Sequence, residues 1–332
     1  VPVVLTLSPV DGDDTASIQA GLTAGAALPV QADGYRGTLL LTAGAYQVDG
    51  TLRINQSGVV LAGVGDGEDP ATNTVLYRTN TSTATVIIPG GNTNDQFRSE
   101  IAGTRRPITT QRVSVGSRAF TVDDASGFAV GDNIIIHHPS TAAWIDAMDD
   151  GGVTDANTWK PGEIDIRYHR YITAISGNTI MIDAPVYNHL DRGLSQSSIY
   201  KYNNSGILRN MGIEDLRIDI ATNGPTSEDH ANDAIEFAGA EDSWIRDCTM
   251  NHFVHAGVQF SRATRCTAER VNAIDPHSVI TGSRRYNFAT YHAQLILFRE
   301  CYASEARHAF VMNGTSNDSG IVALNSVVER SR

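Results

Sequence analysis

The sequence predicts an all-β solenoid, and three observations carry that reading. The first is a strand phrase that returns through the C-terminal half, at residues 213–218, 245–250, 268–273, 298–303 and 323–328. The second is its spacing. Aligned on Asp215, Asp247, Arg270, Glu300 and Asn325, the steps are 32, 23, 30 and 25 residues. A period in the low twenties that only lengthens is how a coil with insertions between its strands reads. The third is a run of short strand patterns near the start, each closed by Gly, Asn or Asp. One coil cannot bury its apolar side chains alone, so coils stack on a shared core. Function then lies on an outward face built by successive coils.

Residues 13–22 come first. Asp13-Asp14-Thr15 before Ile18-Gln19-Ala20-Gly21-Leu22 predicts a capped helix with its apolar face at Ile18 and Leu22. Strand patterns follow at 37–48, 52–54, 57–65 and 74–76. A leading helix there covers the open end of a stack, where unpaired backbone groups invite aggregation.

These motifs carry a resemblance. Asp-Asp-Thr-x-x-Ile-Gln, Gly-x-Leu-Leu-Leu-x-x-Gly-x-Tyr-x-Val and Ser-Gly-Val-Val-Leu-x-Gly-x-Gly, within residues 13–76, resemble the N-terminal cap and first coils of the pectate-lyase-like superfamily. The resemblance implies a right-handed parallel β-helix with an N-terminal capping helix. It says little of activity, since lyases, hydrolases and phage tail proteins share that scaffold.

Between residues 107 and 183 the pattern changes to paired apolar runs, with Gly177-Asn178 as a tight hairpin signal. We read an inserted antiparallel β subdomain that leans on the stack. The expected division is 1–104 for the cap and first coils, 105–200 for the insertion and 201–332 for the remaining coils. Its loop 141–162, with Trp144, Trp159, Asp146, Asp149, Asp150 and Asp155, is long enough to overhang a groove. Residues 325–332 end on a strand phrase without a capping helix. The expectation is that the polypeptide continues, or that another chain covers that end.

Composition bounds function. The chain has 332 residues, 41% hydrophobic and 19% charged, with no apolar run long enough to span a bilayer. A formal net charge of −12 argues against nucleic acid, which wants a basic surface. Lysine occurs only at Lys160 and Lys201, so arginine, whose planar fork suits carboxylates, carries almost all the positive charge. Cys248 and Cys301 share a column two coils apart, near 10 Å at the roughly 4.8 Å coil spacing, too far for a disulfide. The chain begins at Val1, which fits a processed export precursor or a trimmed expression product. A secreted or periplasmic, bacterial location is the expectation.

Functional side chains are densest from 275 to 313. The group holds His277, Arg284, Arg285, Tyr286, Tyr291, His292, Arg307, His308 and Asn313. Breaking a uronic-acid chain by β-elimination needs a cation or Arg to neutralise the carboxylate, a base for the adjacent proton and an acid for the leaving oxygen. Arg284, Arg285 and Arg307 suit the first task. His308, His292 or His277 suit the second, and Tyr286 or Tyr291 the third. Arg284, Arg285, His277, Asn313 and Trp144 are the expected substrate contacts.

A second group, Glu228, Asp229 and Asp233, has the oxygen chemistry to hold Ca2+, although it lacks EF-hand spacing and a capped turn with surface acids is the preferred reading. Asp229, Asp233 and Glu236 also offer a carboxylate pair for glycoside hydrolysis. His252 and His255 find no third ligand in phase, so no zinc site is read there. The expected function is a polysaccharide lyase acting on an acidic glycan. The alternatives are a glycoside hydrolase on the same scaffold and a non-catalytic glycan-binding module.

Overall fold

A computed structural model of the chain describes residues 1–91, 99–148, 159–312 and 318–330. The chain divides into two compact units. One comprises Val1–Thr93, Gly206–Asn313 and Ile321–Arg332, the other Asn94–Ser205 and Gly314–Gly320.

The first unit is a right-handed parallel β-helix. Its long sheet is bent along one line. The strand Gly212–Ile220 pairs with Val59–Ala62 through its first half and with Thr74–Arg78 through its second. Trp244–Asn251 and Thr267–Ile274 stack on it in parallel register. The bend falls on Asp215, Asp247, Arg270, Glu300 and Asn325, the five residues on which the repeat aligns, with φ between 50° and 55°. Asp and Asn tolerate this left-handed conformation, whereas Arg270 and Glu300 adopt it at about 1–2 kcal/mol. The repeat therefore marks the corner of each coil.

Either side of that corner the inward columns are apolar and closed. Ile213, Ile245, Ala268 and Phe298 form one, and Leu216, Cys248, Val271 and Cys301 the next; all are buried. The three cysteines are free and buried, and burial pushes the Cys266 thiol up to about 12, so it is a packing group.

A second parallel sheet runs Leu52–Ile54, Ile87–Pro89, Asp233–Ala238, Ala256–Ser261, Tyr286–Tyr291 and His308–Met312. Side chains alternate between its faces. Ile235, Val258, Phe288 and Phe310 point inward, with Phe288 and Phe310 stacked at 4.9 Å. Glu236, Gln259, Ala289 and Val311 form an outward row.

Helix α1 (Thr15–Ala26) buries Ile18, Gly21, Leu22 and Gly25 against strands of the first coils. Its start is held without a side-chain cap. The Asp14 carboxylate instead accepts from the main-chain N–H groups of Val10 at 2.7 Å and Gln47 at 2.9 Å. At the other end of the unit the strands Val322–Leu324 and Val327–Glu329 are exposed throughout.

The second unit carries an antiparallel six-stranded sheet and its own core, in which Ile134, Ile136, Ile166, Tyr168 and Ile199 are buried. Ile166–Ser176 and Thr179–Ile182 form the hairpin at Gly177-Asn178, where Gly177 takes φ 57°. Helix α2 (Ala142–Ala147) starts at Thr141, whose hydroxyl accepts from the Trp144 N–H at 3.1 Å.

Candidate functional site

Parallel stacking places residues of successive coils beside one another where the strands of the second sheet begin. In register, Asp233, Ala256, Tyr286 and His308 form one column. The outward row begins at Glu236 and Gln259. The Asp233 carboxylate meets Nδ1 of His255 at 2.7 Å. The His255 ring lies 5.4 Å from that of Tyr286, which lies 5.5 Å from His308. Arg307 donates to the Tyr286 hydroxyl at 3.1 Å. Asp233, His255, Tyr286, Arg307 and His308 are thus one continuous strip.

Glu236 completes it. Gln259 Nε2 lies 3.4 Å from its carboxylate. Burial first, and the like charge of Asp233 second, raise its pKa above the ordinary carboxylate range. Among the described residues, neither Asp233 nor Glu236 has an ion pair with Arg or Lys, and Arg307 has none with a carboxylate. A carboxyl whose pKa is raised by burial beside a second carboxylate is an arrangement used to set an acid apart from its partner in glycan cleavage.

Of the expected catalytic residues, Tyr286, Arg307 and His308 are brought together, while Tyr291 and His292 are not. Tyr291 sits at the opposite end of the strand Tyr286–Tyr291, about 16 Å along it at the usual rise per residue. There Arg262 lies over its ring at 5.2 Å and His292 packs on it at 4.2 Å.

The expected substrate contacts fare differently. Arg284 is held in a two-pronged ion pair by Glu228, at 2.5 and 3.2 Å. Arg285 clamps the carbonyls of Ser278 and Pro225 at 2.9 and 2.7 Å. Both arginines brace the loop instead of facing a ligand. His277 packs on His252, with ring centres 4.2 Å apart. Trp144 is 3% exposed and meets Trp159 edge to face at 5.1 Å, so it belongs to the core of the second unit. Asn313, Asp149, Asp150 and Asp155 lie outside the described residues.

The three acids read as a Ca2+ set do not converge. Glu228 is taken by Arg284, Asp229 by Ser227 and Asn223, and Asp233 by His255. Their separate partners account for them as turn and strand anchors. Sequence reasoning passed over His255, because its partner stands one coil away and not in its own turn.

The long sheet presents a concavity of about 260 Å3, lined by Trp244, Arg246, Glu269 and Arg299 among others. Its charges are paired. Glu214 accepts from Trp244 Nε1 at 2.6 Å and pairs with Arg246 at 2.9 Å, while Glu269 pairs with Arg299 and with Arg270.

No protein-family model and no curated protein matches the chain. Solved structures do. The tailspike protein of Pseudomonas phage LKA1 superposes with a TM-score of 0.56 at 18% identity, over 94% of this chain and 44% of that one. The tailspike of Acinetobacter baumannii bacteriophage AP22, solved with an A. baumannii capsular saccharide, gives 0.54 at 14%, over 96% and 44%. The tailspike of Pseudomonas phage phi297 gives 0.52 at 12%, over 95% and 44%. What is shared is the fold. The chain spans less than half the length of each of these tailspikes, and the resemblance read from residues 13–76 is supported at the level of the parallel β-helix. No helix among the described residues is long and apolar enough to cross a membrane.

Proposed function

We propose that the outward face of the second sheet binds and cleaves an extracellular glycan. Glu236 is the proton donor to the leaving oxygen, and Asp233, oriented by His255, is the second carboxylate of the pair. The observation that carries this is the raised pKa of Glu236 on the outward row, next to Asp233, which among the described residues pairs with His255 and with no Arg or Lys. A protonated carboxyl there delivers its proton to the glycosidic oxygen as the bond breaks. Arg307, free of any carboxylate among the described residues, supplies the cation that an acidic sugar requires.

A second reading rests on the contact of Arg307 with the Tyr286 hydroxyl, beside His308. Those groups suit β-elimination from a uronic acid, with Arg307 on the carboxylate and His308 or Tyr286 moving protons. The loss of Arg284 and Arg285 to structural bonds leaves that reading one cation where three were expected, so hydrolysis is preferred. The AP22 tailspike, solved with a capsular saccharide, makes capsular polysaccharides natural substrates to try.

The test is a screen of alginate, pectate, ulvan, hyaluronan, chondroitin and purified bacterial capsules. New reducing ends without ultraviolet absorbance support hydrolysis by Glu236. An absorbing, unsaturated product that disappears in His308→Ala supports the lyase. Binding without either product refutes both and leaves a recognition module.

A further inference from the structure

The corner after the long sheet holds a cluster that the glycan face does not use. His252 and Asp275 occupy one column of successive coils, since Asn251 and Ile274 pair in register just before them. Both take left-handed backbone, at φ 61° and 46°, which turns the chain and sets the two side chains one above the other. His277, two residues on, folds back so that its ring lies 4.2 Å from that of His252 at 32°. Nε2 of His252 and Nε2 of His277 stand 3.3 and 3.4 Å from the same Asp275 oxygen, Oδ2. One donor atom from each of the three residues lies within 4.8 Å of the others.

From this geometry we infer that His252, Asp275 and His277 form a binding site for a divalent transition-metal ion of the Zn2+ class. Two imidazoles and one carboxylate are the donor set such ions take, and a fourth, open position remains for water or a ligand. Bonds of about 2.0–2.2 Å in a tetrahedron put neighbouring donors about 3.4 Å apart, which is the spacing of both histidine nitrogens from Asp275 Oδ2. As hydrogen bonds the same contacts are poor, because a charge-assisted N–H···O bond closes to about 2.7–2.9 Å.

The surroundings fit a metal as well. Nδ1 of His252 lies 3.1 Å from the main-chain carbonyl of Ile220. Donation of its proton there leaves Nε2 with a lone pair, the outer support that metal-bound histidines use. Nδ1 of His277 is buried without a hydrogen-bond partner. His230 is fully buried against the main chain of His252 and His277. Asp275 is exposed, so an ion enters from solvent. The bound ion links two successive coils and fixes the turn 252–255 that presents His255.

The test uses the purified chain, stripped with a chelator and titrated with Co2+ and Zn2+. The expected result is one Co2+ per chain with the intense visible absorption of a tetrahedral site, displaced by Zn2+, together with a higher Tm in Zn2+. Asp275→Asn is the decisive variant, because Asn keeps the left-handed backbone and the exposed position and so folds. It should weaken binding by more than the roughly 10–100-fold that loss of an outer support costs. His277→Gln should do the same while leaving circular dichroism unchanged. Absence of a tetrahedral Co2+ spectrum, or a spectrum and affinity unchanged in Asp275→Asn, overturns the assignment.

Discussion

Two regions of the β-helix treat charge differently. On the long sheet, and in the short strand Ala240–Glu241 before it, several acids hold an arginine, while Asp215 at the corner has none among the described residues. Asp247 holds Arg270 at 2.7 Å, Glu214 holds Arg246, Glu269 holds Arg299, and the fully buried Glu241 holds Arg209 and Arg265. On the second sheet Asp233 and Glu236 lean on His255 and Gln259, and Arg307 rests on a phenol. Paired charges contribute register between coils and little else. Charges left without a counter-ion raise the energy of the folded chain, which is tolerated where a ligand supplies what is missing.

The sharpest way to break this contrast is to remove the Glu236 proton. Glu236→Gln should lower glycan cleavage about 10²–10⁴-fold, the usual worth of a positioned acid. The same change should keep or raise stability at neutral pH. A carboxyl whose pKa is raised on folding contributes stability below its unfolded value and loses it as pH rises through the folded one, so its neutral replacement relieves that loss. Activity of the wild type should fall as pH climbs through the same titration.

Truncating the inward aromatic Phe288 to Ala should cost about 3–5 kcal/mol in chemical unfolding, since it stacks between coils and is buried. The second unit offers another calibration. Burial first, then His137, push His138 down to about 4, with Nε2 left without a partner. Its unfolded form takes up a proton near pH 6.5, so the native state binds fewer protons between 6.5 and 4. Stability should therefore fall with pH across that window by about 3 kcal/mol, and His138→Gln should flatten the fall. This group titrates without touching a ligand, so cleavage per folded molecule should not follow it.

Glu241→Gln gives the smallest of these effects. It should lose about 2 kcal/mol, less than a fully buried pair, because Arg209 and Arg265 still reach solvent. Cleavage should be unchanged. A Glu241→Gln chain that folds normally yet loses activity would break the contrast from the structural side.

Much of the stack was readable from the sequence, because coils repeat and backbone corners leave a mark. The residues chosen for alignment, Asp215 to Asn325, are the corner residues themselves. The site was readable in part. Tyr286, Arg307 and His308 meet because one coil separates them. Tyr291 and His292 are near Tyr286 in number but a strand length away in space, which extended chain makes unavoidable. Arg284 and Arg285 failed as ligand groups because their partners, Glu228 and two carbonyls, lie outside any local pattern. Trp144, read as a substrate contact, packs in the core of the second unit and also lines a cavity of about 370 Å3 there with Tyr187, Asn188 and His189. His252 found no third ligand within its own turn, since Asp275 and His277 belong to the next coil. Applying the corner columns to turns as well as strands would have found that cluster.

The most direct test of the account is the product yield of wild type and Glu236→Gln on whichever glycan the screen identifies, measured with Tm on the same samples. The account predicts that cleavage collapses while Tm stays level or rises. Cleavage at the wild-type rate in a folded Glu236→Gln chain would contradict it.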